Sequence, residues 1–499
     1  MTHAQTLGRL MTAPMGLVVL GLFALAMLAI TYLFARWKAW KTLEGFLVAE
    51  RDTTWWLTGP SIASSWIWAG ALLVSTQMAY EKGLAGIFWF TLPNILALVV
   101  FALLGPRIRR KFDLGYTLPE YIHARLASGR VHAVYLIPFF FGQLLAITFN
   151  AFAGGALVSL LTGIPPTVVM PMLVGIALAY TLVSGLEASI VTDFVQLVLI
   201  IVGMLSIVVP AVVVAGGVPA VAAGIRGIHG TVNVLDRDIA LSFGVVTSIG
   251  LVSQTITGQQ FWQRAFALRR GHVAKAFLFG AFLFALVPIG LSLLGFLAAN
   301  PRLGIALPAG ADPSLIGVLT VNRLLRGSSA VIFMIVLLSG LSSTIDSSMS
   351  AASALWTIDV VRYRDRARQH SAGAPPDAAG AADARMIGHS RAAMIGVSIL
   401  GLALGYASYF IAGFGVKQLF LFGLAASAAA SVPTVLSLYV ERLDERGVFW
   451  GIVAALLGGI PLIMYGNYIR DERWVAFASL FMIGVSTLLC LVLPRPADA

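Results

Sequence analysis

The sequence predicts an all-α integral membrane protein, and three observations carry that expectation. Of its 499 residues, 59% are hydrophobic and 11% charged, a balance outside the range of soluble globular domains. The apolar residues fall into runs of the length that a helix needs to cross a bilayer, roughly 20 residues each. The charge of +11 sits mainly in short basic loops beside those runs, the pattern by which membrane proteins orient themselves. That placement argues against nucleic acid as a partner and for the lipid bilayer.

Read in order, thirteen candidate spans emerge. Pro14 to Phe34 comes first; it is followed by Arg36, Lys38 and Lys41 rather than by a small-residue cleavage site, so it is expected to stay as a leading helix. Trp56 to Met78, Gly86 to Leu104, Val131 to Leu161, Pro166 to Val183 and Ile190 to Ala215 follow. Ile239 to Trp262, Ala276 to Ala298, Ser328 to Val361, Ala392 to Ile411 and Leu419 to Tyr439 make a second group of the same size. Val448 to Tyr465 and Trp474 to Leu493 trail. With the N-terminus outside, the inner loops collect Arg107, Arg109, Arg110, Lys111, Arg125, Arg130, Arg264, Arg269, Arg270, Lys275 and Arg362, as the positive-inside rule requires, and the C-terminus is cytoplasmic. No soluble domain interrupts the spans, so residues 1–499 read as one polytopic domain of the plasma (bacterial inner) membrane. Ser371 to Ala384, rich in Ala, Gly and Pro, reads as a flexible cytoplasmic loop. Cys490 stands alone and permits neither an intrachain disulfide nor a thiolate metal cage.

The second and seventh spans are polar in their middles. Ser61, Ser64, Ser65, Trp66, Trp68 and Gly70 mark one, and Ser248, Ser253, Gln254, Thr255, Gly258, Gln259 and Gln260 the other. They stand five spans apart, the offset that two inverted five-helix repeats give when each begins with a broken helix. The repeats are expected over 55–215 and 239–439, with 14–34 leading and 448–493 trailing. The ninth span holds Leu338-Ser-Gly-Leu-Ser-Ser-Thr-Ile-Asp-Ser-Ser-Met-Ser-Ala-Ala-Ser353, a hydroxyl-rich run where every polar group must find a partner inside the protein. Gly340 and Ser343 lie three apart on a helix, so the Gly340 carbonyl, the Ser343 hydroxyl and the adjacent Thr344 present oxygens on one face, a set suited to a hard cation such as Na+. Ordinary small-residue helix packing is the alternative for the same residues.

Several patches resemble the sodium:solute symporter family. They are Phe46-Leu-Val-Ala-Glu-Arg51 with Trp55 and Trp56, Tyr116-Thr-Leu-Pro-Glu-Tyr121, Ser184-Gly-Leu-Glu-Ala-Ser-Ile-Val-Thr-Asp-Phe-Val-Gln196, and Ser343-Thr-Ile-Asp-Ser347 with Asp359. Leu186 departs from the third pattern, where a second Gly is frequent. Ser64-Ser-Trp-Ile-Trp-Ala-Gly-Ala-Leu-Leu73 and Phe261-Trp-Gln-Arg-Ala265 look nearest to the urea-transporting branch. The resemblance implies the leucine-transporter-like fold, secondary active transport by alternating access, and Na+ as coupling ion. It also implies that main-chain carbonyls of Ala63 and Trp66 complete the sodium site with Gly340, Ser343 and Thr344. Asp193 matches an aspartate of the signature, expected at a second cation or release site, with a helix-start carboxylate as the alternative. Asp346 could join that site or serve a proton-coupled variant.

For a solute, Gln143, Asn150, Gln254 and Gln259 offer amides that both donate and accept, and Trp68 and Trp89 offer aromatic faces. They suit a small polar molecule, a urea-like amide or an amino acid; no Lys or Arg reads as lying mid-span to neutralise a dianion. The seven histidines fall in loops or at span ends, and no nucleophile with a base stands at membrane depth, so an enzyme is not expected. No organic cofactor and no obligate protein partner is implied. A passive solute channel and a non-transporting membrane sensor are the other readings.

Overall fold

The computed structural model describes residues 11–37, 42–183, 185–307, 312–325, 329–366, 379–410, 422–423, 426–469 and 471–493. Helices dominate them, and extended pairing among the described residues is limited to one bridge between Thr53 and Leu268. The chain runs through α1 (Ala13–Trp37), α2 (Leu43–Val48), α3 (Trp55–Trp66), α4 (Ala69–Lys111), α5 (Leu118–Leu126), α6 (Gly129–Thr162), α7 (Pro166–Val183) and α8 (Leu186–Val214). It continues through α9 (Val245–Thr257), α10 (Gln259–Ala267), α11 (Val273–Ala299) and α12 (Ser329–Ala354), then α13 (Ala379–Phe410), α14 (Ala428–Tyr439), α15 (Glu445–Ile469) and α16 (Glu472–Val492). A π-helical stretch, Leu355–Arg362, prolongs α12.

Eleven described helices are long and apolar enough to span a membrane, not thirteen. Two differences account for the count. The second and third predicted spans share α4, whose helical register is broken at Gly83 by φ 65° and ψ −149°. The eleventh, Leu419 to Tyr439, lies partly outside the described residues, and its described helix, Ala428–Tyr439, is short. The predicted flexible loop is also trimmed. Residues 371–378 lie outside the described residues, whereas 379–384 already belong to α13, as Ala-rich sequence favours.

The two predicted breaks are present. α3 stops at Trp66 because Ile67 (φ −87°, ψ 79°) and Trp68 (φ −89°, ψ 176°) leave the helical region. Trp68 folds its indole over Gly70, where a Cβ would meet the ring at 2.0 Å, so the glycine is what lets the chain turn there. The Asn150 side chain then accepts from Ala69 N at 3.0 Å and caps the helix that restarts. In the other break, Gly258 (φ −79°, ψ 98°) separates α9 from α10, and the Trp262 indole donates across it to Ile256 O at 2.7 Å.

α12 runs through the middle, with every residue from Val336 to Leu355 buried. Its small residues let α6, α7, α8 and α3 approach it closely. At one end of the bundle, charged loops are laced together. Arg51 donates to Glu44 (2.6 Å), Gly115 O (2.6 Å) and Leu114 O (2.9 Å). Arg269 pairs with Asp52, Arg270 with Asp113, and Arg362 with Glu120. The Arg270 hydrogen bond holds the Asp113 carboxyl below its usual range.

Gly83 occupies a backbone region that only glycine adopts without strain, a cost of order 1–3 kcal/mol for other residues, and a Cβ there would lie 2.3 Å from Arg226 O. Gly83→Ala is therefore expected to lower the apparent melting temperature of the purified protein by several degrees, read by intrinsic fluorescence on heating.

Candidate cation and solute site

The last four carbonyls of a helix have no intrahelical partner, and α3 ends inside the protein. Ile67 N turns back to Ser64 O at 3.0 Å instead of serving Ala63, so the carbonyl of Ala63 loses its helical donor. The Thr344 hydroxyl on α12 meets three carbonyl oxygens here: Gly340 O at 3.1 Å, Ile67 O at 3.3 Å and Ser65 O at 3.4 Å. One hydroxyl carries one proton, so it can satisfy one of them. The other two face oxygen lone pairs. Hard cations hold their oxygens at roughly 2.4 Å, which spaces neighbouring ligands of an octahedron by about 3.4 Å. The cluster thus has both the electron-rich character and the spacing of a cation site. Gly340 and Thr344 stand where the sequence placed them. The carbonyls within reach of Thr344 are those of Ser65 and Ile67, one residue displaced from Trp66 and farther along than Ala63.

Ser343 belongs to a neighbouring cluster. Its hydroxyl donates to Asp193 Oδ1 at 2.5 Å. Asp193 Oδ2 accepts from Ser61 Oγ (2.6 Å) and from the Arg264 guanidinium (2.7 Å). Arg264 also donates to Ser347 Oγ (2.7 Å), Ser61 Oγ (2.8 Å) and Gln260 O (3.1 Å), and both partners of the ion pair are fully buried. This corrects two expectations. Arg264 is not a loop residue, because α10 carries it inward across the break at Gly258, so a cation does lie inside the bundle. Asp193 does not open its helix: α8 begins at Leu186, which puts Asp193 in the second turn facing the core. Asp346 joins the same cluster, accepting from Ser347 Oγ (3.1 Å) and Ser189 Oγ (3.3 Å) through Oδ1. The chain's own guanidinium therefore takes the place beside Asp193 and Ser347 that a second cation would need.

A cavity of about 660 Å³, counting its open mouth, adjoins the cation cluster. Trp68, Gln143, Asn150 and Gln254 line it, as do Trp66, Phe149 and Gln260. The Trp68 and Phe149 rings meet edge to face at 5.2 Å. Gln143 Oε1 and Trp66 Nε1 are buried with no hydrogen-bond partner among the described residues, an acceptor and a donor left for something else. None of the described lining residues is ionisable at neutral pH. Ser65, Trp66 and Thr344 belong to this wall, and Ser65 and Thr344 are also at the cation cluster. Gln259 is excluded: its amide accepts from Leu118 N (3.2 Å) and donates to Tyr116 O (3.0 Å), tying α10 to the segment before α5. Trp89 is likewise elsewhere, donating to Val234 O. Gln260, its neighbour's near-equivalent in sequence, takes the lining position because it lies on the other face of α10.

The model of the sodium:solute symporter family matches residues 46–455. The urea-proton symporter DUR3 of Oryza sativa subsp. japonica is 24% identical, over 86% of this chain and 62% of that protein. The sodium/mannose cotransporter SLC5A10 of Bos taurus is 25% identical, over 84% of this chain and 73% of its own. This chain spans about half to three fifths of the length of the urea-transporter relatives it matches. The fold matches that of a Na+-coupled sialic acid symporter in a substrate-bound, outward-open state, with a TM-score of 0.75 at 17% identity, covering 97% of this chain and 99% of the other.

Removing one partner of a buried pair leaves an unmatched charge, a loss of about 3–5 kcal/mol. Arg264→Met is expected to reduce sharply the folded protein recovered from membranes, and Arg264→Met with Asp193→Asn to restore much of it. Monodisperse protein on size-exclusion chromatography and its melting temperature are the measurements.

Proposed function

We propose that this chain, which belongs to the sodium:solute symporter family, couples inward movement of Na+ to uptake of a small neutral amide such as urea by alternating access. The observation that carries this reading is the shared wall. Ser65, Trp66 and Thr344 border the solute cavity, while Ser65 O and the Thr344 hydroxyl face the cation cluster. Ligands that share residues have coupled affinities. A cation drawn between α3 and α12 fixes the end of the broken helix, and with it the indoles and amides around the solute.

The solute class follows from the lining. Four amide side chains, two indoles and no ionised group favour a molecule with N–H donors and a carbonyl acceptor over one with net charge, because an ion would be desolvated without a counter-charge. Gln143 Oε1 suits an amide N–H and Trp66 Nε1 a carbonyl. The names of the rice and bovine relatives support urea-like solutes and sodium coupling respectively. The end carrying Arg51, Arg269, Arg270 and Arg362 is assigned to the cytoplasm by the positive-inside rule. In this reading the laced loops there close the inner exit and the cavity is reached from outside. The ion acts only through its different affinity for the two states; low internal sodium then empties the site after the inner loops part.

Proton coupling is the second reading, supported by the name of the rice relative. Proteoliposomes separate the two. Labelled urea and an amino-acid panel are expected to accumulate above equilibrium only with an inward sodium gradient and to prefer urea. Accumulation under a proton gradient alone would move the coupling to protons, and mere equilibration would make the protein a channel. Thr344→Ala is expected to raise the sodium concentration for half-maximal uptake at least about tenfold, the equivalent of ~1.4 kcal/mol, with membrane levels unchanged. Unchanged sodium dependence in this variant would remove the site.

A further inference from the structure

A second cavity lies at the basic end, about 880 Å³ with its open mouth, where α5, the start of α6 and the π-helical continuation of α12 meet. Nothing in the transport reading uses it. His132 Nε2 lies 2.8 Å from Asp359 Oδ1, with side chains 4% and 1% exposed. Asp359 Oδ2 and His123 Nδ1 are buried without a hydrogen-bond partner among the described residues. The His123 and His132 rings are 5.2 Å apart, and both lean on the Tyr363 ring, at 5.0 and 4.8 Å. Asp359 stands in the middle of the π-helical stretch, an irregularity often found at functional sites.

We propose that this cavity is a proton-binding site, and that a proton taken up by the His123–His132–Asp359 cluster releases α5 from the end of α12. The remaining charges around the cavity decide the sign. Glu120 is engaged by Arg362, which leaves Arg366 as a further cation at the mouth. One carboxylate, Asp359, therefore lies at an imidazole pair, meeting His132 directly while His123 packs on the His132 ring. It can balance one imidazolium, and a second would face only positive neighbours. From α13, packed on the far side, come the Thr357–Ser390 hydroxyl pair and the exposed Arg385–Asp365 pair, which add no net charge. Burial, helped by the His132 charge, holds His123 below the ordinary imidazole range, against a backbone hydrogen bond at Ser128. Its neutral form is therefore the one the folded contact favours. The contact is fully present above about pH 6.5, the ordinary imidazole value, and is lost as pH falls through the lowered one.

The consequence reaches the transport machinery through a chain of hydrogen bonds. The segment leading into α5 holds Gln259 by two hydrogen bonds, Gln259 opens α10, and α10 carries Arg264 to Asp193. Loosening α5 therefore loosens the grip on the inner half of the broken helix. This inference stands apart from the identity of the solute or coupling ion, and its test needs neither. Hydrogen exchange of the full chain in lipid nanodiscs, corrected for intrinsic rates, would be followed by mass spectrometry between about pH 7.5 and about pH 5.5, the range in which histidine titrates. Protection over residues 118–126 and 259–267 is expected to fall at least about tenfold on acidification, about 1.4 kcal/mol. His123→Gln is expected to keep its protection across the range, and Asp359→Asn, which removes the carboxylate that favours the imidazolium, to lose it at a lower pH than the native chain. Protection in the native chain that ignores pH would overturn the proposal. So would an equal fall in His123→Gln, or an unshifted midpoint in Asp359→Asn should His123→Gln fail to fold.

Discussion

A guanidinium with no exposed surface must be matched donor by donor, and the Arg264–Asp193 pair imposes that requirement on four helices at once. Arg264 comes from α10, Asp193 from α8, Ser61 from α3 and Ser347 from α12. Each oxygen has to arrive at hydrogen-bond distance or the desolvation cost goes unmet. The break at Gly258 is part of this constraint, because an unbroken helix through residues 245–267 would not deliver Arg264 from the basic end into the core.

The cation cluster can be understood as a consequence. Since Arg264 and Ser61 hold α3 against α8, the free carbonyls at the end of α3 are held against α12, where Thr344 supplies one proton for three acceptors. Asp193 is neutralised by a fixed charge, so it does not have to be neutralised by a mobile one. The site formed by Thr344 and the carbonyls is then built of neutral oxygens. Neutral ligands hold a cation less tightly than carboxylates do, which is what the proposed transport cycle needs. The same restraint suits the solute cavity, whose aromatic and amide wall has no ionised group among its described residues.

Much of this was legible beforehand because it follows from local rules. Polar residues inside an apolar span have few explanations, so the breaks at Ile67 and Gly258 and the oxygen face of Gly340 and Thr344 could be read from residue type and spacing. Gln143, Asn150, Gln254 and Trp68 also line the cavity that the amide pattern suggested. Arg264 was missed because a basic residue four positions after a polar run looks like the beginning of a loop. The available signal was the glycine at 258: a break there allows a short reentering helix whose charged residue points inward. Gln259 and Gln260 are adjacent and chemically identical, and only the rotation of α10 assigns one to the loop contact and the other to the cavity.

By itself, the sequence determined the helical membrane class, the positions of the two broken helices and the chemical character of the residues between them, because hydropathy, glycine placement and hydroxyl spacing act over a few residues at a time. The tertiary structure decided which carbonyls meet Thr344, which carboxylate meets Arg264 and which histidine meets Asp359. Those partners are 277, 71 and 227 residues apart in the chain for Ile67–Thr344, Asp193–Arg264 and His132–Asp359. Separations of that size are closed only by the packing of whole helices, in which a rotation of one residue, about 100°, replaces one partner by another.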